Sequence, residues 1–135
     1  MIYKFRGLHE RTGLWITGGM EYIEATELYE DDRAYIINHG FRTEVRPETI
    51  SLSTGKYDSD GEEVFDGDIV ECSITLDGEL QPTERYLVEY DEQEGRFRTK
   101  ILDSDLLHED DIGFLQECKV IGNKWETPEF LAKVS

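Results

Sequence analysis

Basic side chains are scarce in this sequence. Fourteen Lys and Arg stand against 31 Asp and Glu, a formal net charge of −17. No run of Lys or Arg forms a local patch. Such a chain is repelled by DNA, RNA and anionic membrane surfaces, so direct nucleic-acid binding is not expected. Long apolar runs are missing too, as is an N-terminal apolar segment of the signal-peptide kind, so neither membrane insertion nor secretion is expected. Only two cysteines occur, Cys72 and Cys118, outside any Cys-x-x-Cys or Cys/His cluster. They read as reduced core thiols of a cytosolic protein, with a structural disulfide left as an alternative that nothing in the sequence supports. The three histidines, His9, His39 and His108, are isolated in sequence, with no His-x-x-x-His pair. Each reads as a turn or surface residue rather than a metal ligand. Gly-x-Ser-x-Gly, a phosphate loop and a dinucleotide fingerprint are all absent. No catalytic residue, cofactor or metal is therefore expected.

What the chain does have is a dense run of turn signals around short apolar segments. The richest stretch is Thr54 to Cys72. Asp60-Gly61 marks a tight turn, because glycine takes φ > 0 without a Cβ clash. Val64 and Phe65 follow, then Asp66-Gly67-Asp68 breaks the run. Val70, Cys72, Ile74 and Leu76 next alternate with Glu71, Ser73, Thr75 and Asp77, the period of a strand with one buried face. Ile69 is off phase, so Gly67 is expected to mark a bend or bulge. Asp77-Gly78 closes this strand with another turn.

Other segments fit the same pattern. Ile2 to Arg6 and Leu14 to Thr17 read as short strands, and Gly18-Gly19 loosens the chain after them. Residues 20–32 leave helix and strand open. Ala34 to Asn38 and Phe41 to Val45 read as a hairpin turned by His39-Gly40. Tyr86, Val88 and Tyr90 alternate, as do Phe97, Thr99 and Ile101, which predicts a second hairpin with Glu92 to Gly95 at its tip. Glu89 and Asp91 are expected to face Arg96, Arg98 or Lys100 across it. Asp103 to Gly113 reads as an acidic connection with one helical turn. Cys118 to Gly122 reads as a last strand. Thr127-Pro128 then signals a helix start, predicting a short helix over Glu129 to Val134 anchored by Phe130 and Leu131. The strand aromatics, Tyr3, Phe5, Trp15, Tyr35, Phe41, Tyr86, Tyr90 and Phe97, are expected to pack in a core or an interface. Asp58-Ser59-Asp60-Gly61 has part of a calcium-loop pattern, but Lys56 stands where an acid is needed, and a solvated hairpin tip is expected. Glu30-Asp31-Asp32 and Glu109-Asp110-Asp111 read as solvated acidic loops.

An ordered set of residues resembles the YopX-like family of phage and prophage proteins. Its centre is Thr54-Gly55, Asp58, Gly61 and Val64-Phe65-Asp66-Gly67-Asp68-Ile69-Val70. Tyr3 to Arg6 resembles the family's opening strand, and Val45 to Ile50 the segment before the Thr-Gly turn. Val120-Ile121-Gly122-Asn123, followed by Trp125-Glu126-Thr127-Pro128-Glu129, resembles its C-terminal signature. Lys56 departs from the pattern, where the family usually carries an apolar residue. The family-motif residues read as structural are Thr54, Gly55, Asp58, Gly61, Gly67, Asp68, Ile69, Val70, Ile121, Gly122, Asn123 and Pro128. The resemblance implies a phage or prophage origin, a barrel-containing fold and self-association, and it carries no established activity.

The expected fold is mostly β: an SH3-like or β-barrel-containing arrangement of antiparallel hairpins with one or two short helices. It forms a single domain over 1–135, alternatively an N-terminal β subdomain (1–50) packed on a C-terminal barrel (51–135). The expected function is non-enzymatic: a protein-interaction or self-assembling accessory module, homo-oligomeric, in the cytoplasm of a bacterial host. Two alternatives are an acidic DNA mimic that inhibits a host nucleic-acid-binding protein, and a barrel that binds nucleic acid or a small ligand.

Overall fold

The structure is a computed structural model. It describes residues 3–27, 30–73, 75–80, 83–102, 107–108 and 112–131. The chain is mostly β and divides into two compact units, Met1–Ser53 and Thr54–Ser135.

The N-terminal unit contains β1 (Phe5–Leu8), β2 (Trp15–Ile23), β3 (Arg33–Asn38), β4 (Phe41–Val45) and the start of β5 (Ser51–Tyr57). These strands are antiparallel in the order β4-β3-β2-β1-β5. The longest, β2, changes partner half-way: Trp15 to Gly18 pair with β1, and Gly19 to Ile23 with β3. The switch falls on Gly18-Gly19. A Cβ at Gly18 would sit 2.3 Å from the Ile37 carbonyl oxygen, so only a hydrogen fits there. The glycine pair read as a loosening of the chain is the bend inside a strand, and strand structure continues through Ile23. The expected hairpin at His39-Gly40 is present, with φ of 50° and 80°. Ala34, Ile36 and Val45 form the buried core of this unit with Phe5, Ile16 and Ile50 packed against them. Thr49, in the single turn Pro47–Thr49, is buried. Its hydroxyl donates to the Arg46 carbonyl and accepts from Leu8 N–H at 2.9 Å.

In the C-terminal unit the end of β5 pairs with β6 (Glu63–Phe65). Then come β7 (Asp68–Cys72), a two-strand ribbon of β8 (Thr75–Leu76) and β9 (Glu79–Leu80), β10 (Glu84–Asp91), β11 (Arg96–Ile101), β12 (Leu107–His108) and β13 (Cys118–Asn123). The main sheet has the order β12-β11-β10-β7-β13, all antiparallel. β7 lies inside it with apolar residues buried on both faces. Val70 and Cys72 face a cluster with Val64, Tyr86, Val88, Leu115 and Cys118. Ile69 faces another with Leu87 and Leu102, closed by Ile121, Phe130 and Leu131. This explains the off-phase Ile69: a strand covered on both sides can carry apolar residues in either phase. The bend or bulge expected at Gly67 is a bend: Asp66-Gly67 form a turn with Gly67 at φ 89°. The register shift lies on β13, between Val120 and Gly122.

Several expectations are corrected. The described residues form no closed barrel, and the sheets stay open. The strand expected to run to Leu76 stops at Cys72, and Thr75–Leu76 belongs to the ribbon. No α-helix occurs among the described residues, only the 3-10 turns Pro47–Thr49, Ile112–Glu117 and Pro128–Leu131. The expected short terminal helix starts at Pro128 as the 3-10 turn Pro128–Leu131, with Phe130 and Leu131 packed on the second core cluster, while the Thr127 hydroxyl binds back to Asn123 N and O, at 2.9 Å each, instead of capping forward. Its end, beyond Leu131, lies outside the described residues, as do Asp103 to Leu106 and Glu109 to Asp111. No helix among the described residues is long and apolar enough to cross a membrane.

Candidate functional site

The family-motif residues all lie in the C-terminal unit, and among them Asp58 makes the most far-reaching tie. Asp58 closes the turn after β5 and is only 6% exposed. Its Oδ1 accepts from Asp60 N–H at 2.9 Å and Glu62 N–H at 2.8 Å. Its Oδ2 accepts from Val120 N–H at 3.0 Å, on the outer edge of β13. Ser59 N–H donates to the Cys118 carbonyl at 2.8 Å beside it. The turn thus seals the open edge of β13, which would otherwise present unpaired backbone groups. Burial pushes the Asp58 carboxyl up. The three N–H donors and the nearby Lys119 charge outweigh it and hold the group below the ordinary carboxylate range. Asp58 is therefore not part of a solvated tip.

The other motif residues do comparable work. Thr54 donates its hydroxyl to the Val64 carbonyl at 2.7 Å, which ties β5 to β6. Gly55 and Gly61 take φ of 75° and 81°. Gly67, at φ 89°, is closely packed: a Cβ would lie 2.5 Å from the Trp125 ring. Its N–H donates to Val88 O at 2.7 Å and its carbonyl accepts from Lys124 N–H at 3.0 Å. Asp68 is buried and accepts from Phe65 N–H at 2.8 Å. Ile69 and Val70 are core, and Ile121 packs against the second cluster. Gly122 lies against Thr127, whose Oγ1 would be 2.1 Å from an added Cβ. Asn123 accepts from Trp125 and Glu126 N–H with Oδ1 and donates Nδ2–H to Glu126 Oε1. Pro128 opens the last turn. Trp125 and Thr127 pack over Gly67 and Gly122, and no local pattern in the sequence points to those two contacts.

Cys72 and Cys118 are not separate thiols. They face each other in register on β7 and β13, with Cα atoms 4.3 Å apart, and form a disulfide. The expectation failed because sequence spacing says nothing about two strands that become neighbours 46 residues apart.

Elsewhere too, carboxylates serve the backbone. Asp66 accepts from Tyr90 N–H, Asp91 from Gln93 and Glu94 N–H, and Asp32 from Ala25 N–H. The second hairpin forms with Glu89 opposite Arg98 and Asp91 opposite Arg96, and Arg98 pairs with Asp91. His9 is a turn residue, its Nδ1 accepting from Arg11 and Thr12 N–H. The expected stripe of aromatics divides: Phe5 and Tyr86 pack in the cores, Tyr90 and Phe97 meet edge to face, and Phe41 is 74% exposed. The cavities lined by described residues include three. One of about 370 Å³ sits on the β10–β11 hairpin between Glu89, Asp91 and Arg98. Two lie on the N-terminal unit, about 460 Å³ beside Glu10, Asp31 and Glu44, and about 240 Å³ beside Tyr35, Arg33 and Arg42.

The sequence pattern of the family described as YopX protein matches residues 4–132. The chain belongs to the YopX family. No curated protein matches it. Among solved structures it is similar to protein EF1440 from Enterococcus faecalis, with 22% identity, 98% of this chain and 99% of that chain covered, and a TM-score of 0.55. At that identity the likeness concerns the fold. In this YopX chain the motif polar groups are engaged by backbone partners. The linings of the three cavities contain no histidine, cysteine or serine, so none of them joins a nucleophile to a histidine base.

Proposed function

We propose that this YopX-family chain is a non-enzymatic accessory protein of a phage or prophage that acts by protein contact, including contact with its own copies, in the host cytoplasm. The observation that carries the reading is the commitment of the motif polar side chains, Thr54, Asp58, Asp68 and Asn123, to backbone hydrogen bonds. A pattern spent on turns and strand edges serves the shape of a surface more than a reaction centre. The apolar side chains that the N-terminal unit leaves exposed, Met20, Tyr22, Ile37 and Phe41, supply contact area. We keep the SH3-like likeness of the Gly67 to Val70 corner within this reading; a tight turn feeding a buried strand supports it. Light scattering over a concentration series, together with a tagged pull-down from host lysate at low and high salt, tests the proposal. A defined oligomer and a salt-resistant partner are expected. A strict monomer that retains nothing at either salt would sink it.

A second reading, an acidic decoy for a nucleic-acid-binding protein, draws on one observation. Asp60, Glu62, Glu92 and Glu94 are exposed at hairpin turns of the more acidic unit. A DNA-binding partner released by salt in the same pull-down favours it.

A further inference from the structure

We propose that Cys72 and Cys118 form a reversible redox latch, which the β7–β13 register places at the shared end of both strands and which sets how firmly segment 73–117 is held. Cys72 is the last residue of β7 and Cys118 the first of β13, so the pair occupies the terminal rung of their ladder. The sulfurs are buried, with the residues 3% and 1% exposed, but the next residue, Ser73, is exposed. A terminal rung opens by fraying, without global unfolding. A small disulfide or thiol can therefore reach it from the native state.

The rest of the ladder does not need the sulfur bond. Glu71 faces Lys119, Val70 faces Val120, and Asp68 faces Asn123. The Asp58 carboxylate and Ser59 N–H grip the outer edge of β13 independently. Two reduced thiols fit the same buried place as small apolar side chains. Closure and opening then leave the strand register intact, which is what reversibility demands.

The exchange balances with a low-molecular-weight disulfide as oxidant. One cysteine thiolate attacks a sulfur of oxidised glutathione, and its S–S bond breaks to release one reduced glutathione. The second cysteine thiolate attacks the mixed disulfide and releases the other. Two electrons and two protons leave with the two glutathione thiols, and the reverse sequence opens the latch. In the closed state the segment between the cysteines, which carries β8 to β12, is a loop pinned at both ends. In the open state it is held by strand pairing and core contacts alone.

The test uses the full chain poised in mixtures of reduced and oxidised glutathione, without denaturant. Maleimide trapping reads the thiols, and limited proteolysis with mass mapping reads cleavage within 73–117. The expected result is a titration from two free thiols to none that runs the same in both directions. Cleavage of the segment should slow by ~10-fold or more on closure. A Cys72→Ala/Cys118→Ala chain should cleave at the reduced rate in every mixture. The wild-type titration stands alone if that variant folds poorly. Thiols that remain free in excess oxidised glutathione, a bond that survives excess reduced glutathione, or equal cleavage in both states would each overturn the proposal.

Discussion

The N-terminal unit closes through glycine. Gly18 lets β2 bend against the Ile37 carbonyl, and a Cβ at Gly7 would sit 2.5 Å from the Val45 side chain. Its charge is nearly balanced, with 6 basic and 9 acidic side chains over residues 1–53. The C-terminal unit carries 8 basic and 22 acidic side chains over residues 54–135. It closes through side-chain ties to the inner strand β7 and the edge strand β13: a disulfide, the Asp58 carboxylate and the Asn123–Thr127 clasp. One unit depends on the room its backbone leaves, the other on bonds made by its side chains. The contrast also shows that acidity and surface charge are different quantities. Part of the C-terminal excess is turned inward onto N–H groups, where an ionised acceptor is stronger than a neutral one.

The sharpest test of this contrast is loss of the disulfide. Closing a loop of 46 residues restricts the unfolded chain by about 4 kcal/mol in the chain-entropy account. Reduction, or the double Cys→Ala change, should lower hydrogen-exchange protection in β7, β10 and β13 and leave β3 unchanged. Equal loss in both units would break the comparison. Ile36→Ala is the converse experiment. It removes a fully buried side chain from the small N-terminal core and should cost about 3 kcal/mol, read as lost protection in β2 to β4.

Asp58→Asn is expected to cost about 2 kcal/mol, since it removes a charged acceptor from three partly buried N–H contacts. The pH dependence sharpens it. The folded pKa of Asp58 is depressed, so its stabilisation is fully present above the unfolded value of about 3.9 and fades as pH falls through the folded value. Urea melts of wild type and variant should therefore converge in acid. A gap that stays constant down to strong acid would remove Asp58 from the account. The smallest effect belongs to Arg42→Ala. It loses an exposed pair with Glu21 and the stacking on Tyr35, worth about 0.5–1 kcal/mol. Part of that should vanish in high salt.

The hairpins were legible because local chemistry decides them. His39-Gly40 and the alternation of Tyr86 to Tyr90 with Phe97 to Ile101 needed no tertiary information. The family pattern was legible as an ordered set, although its reasons were not. That Gly67 lies under Trp125, or that Asp58 reaches Val120, depends on contacts between segments far apart in sequence. The disulfide failed to show for the same reason. The expected barrel is not closed among the described residues, and the helix start at Thr127-Pro128 is present as a 3-10 turn in which Asn123 takes the Thr127 hydroxyl that would otherwise cap forward. Ile69 looked out of phase only because a one-faced strand was assumed.

The hydrogen bond between Asp58 and Val120 spans 62 residues of chain, and that span has a consequence during synthesis. The paired strands of the N-terminal unit are all made by residue 53, so it can settle while the ribosome is still at work. The C-terminal unit cannot. Until the codons for Cys118 to Asn123 have been read and that stretch has left the exit tunnel, β7 has an open flank and Asp58 lacks its third donor. Among the described strands, the last to be translated is the one on which the earlier ones wait.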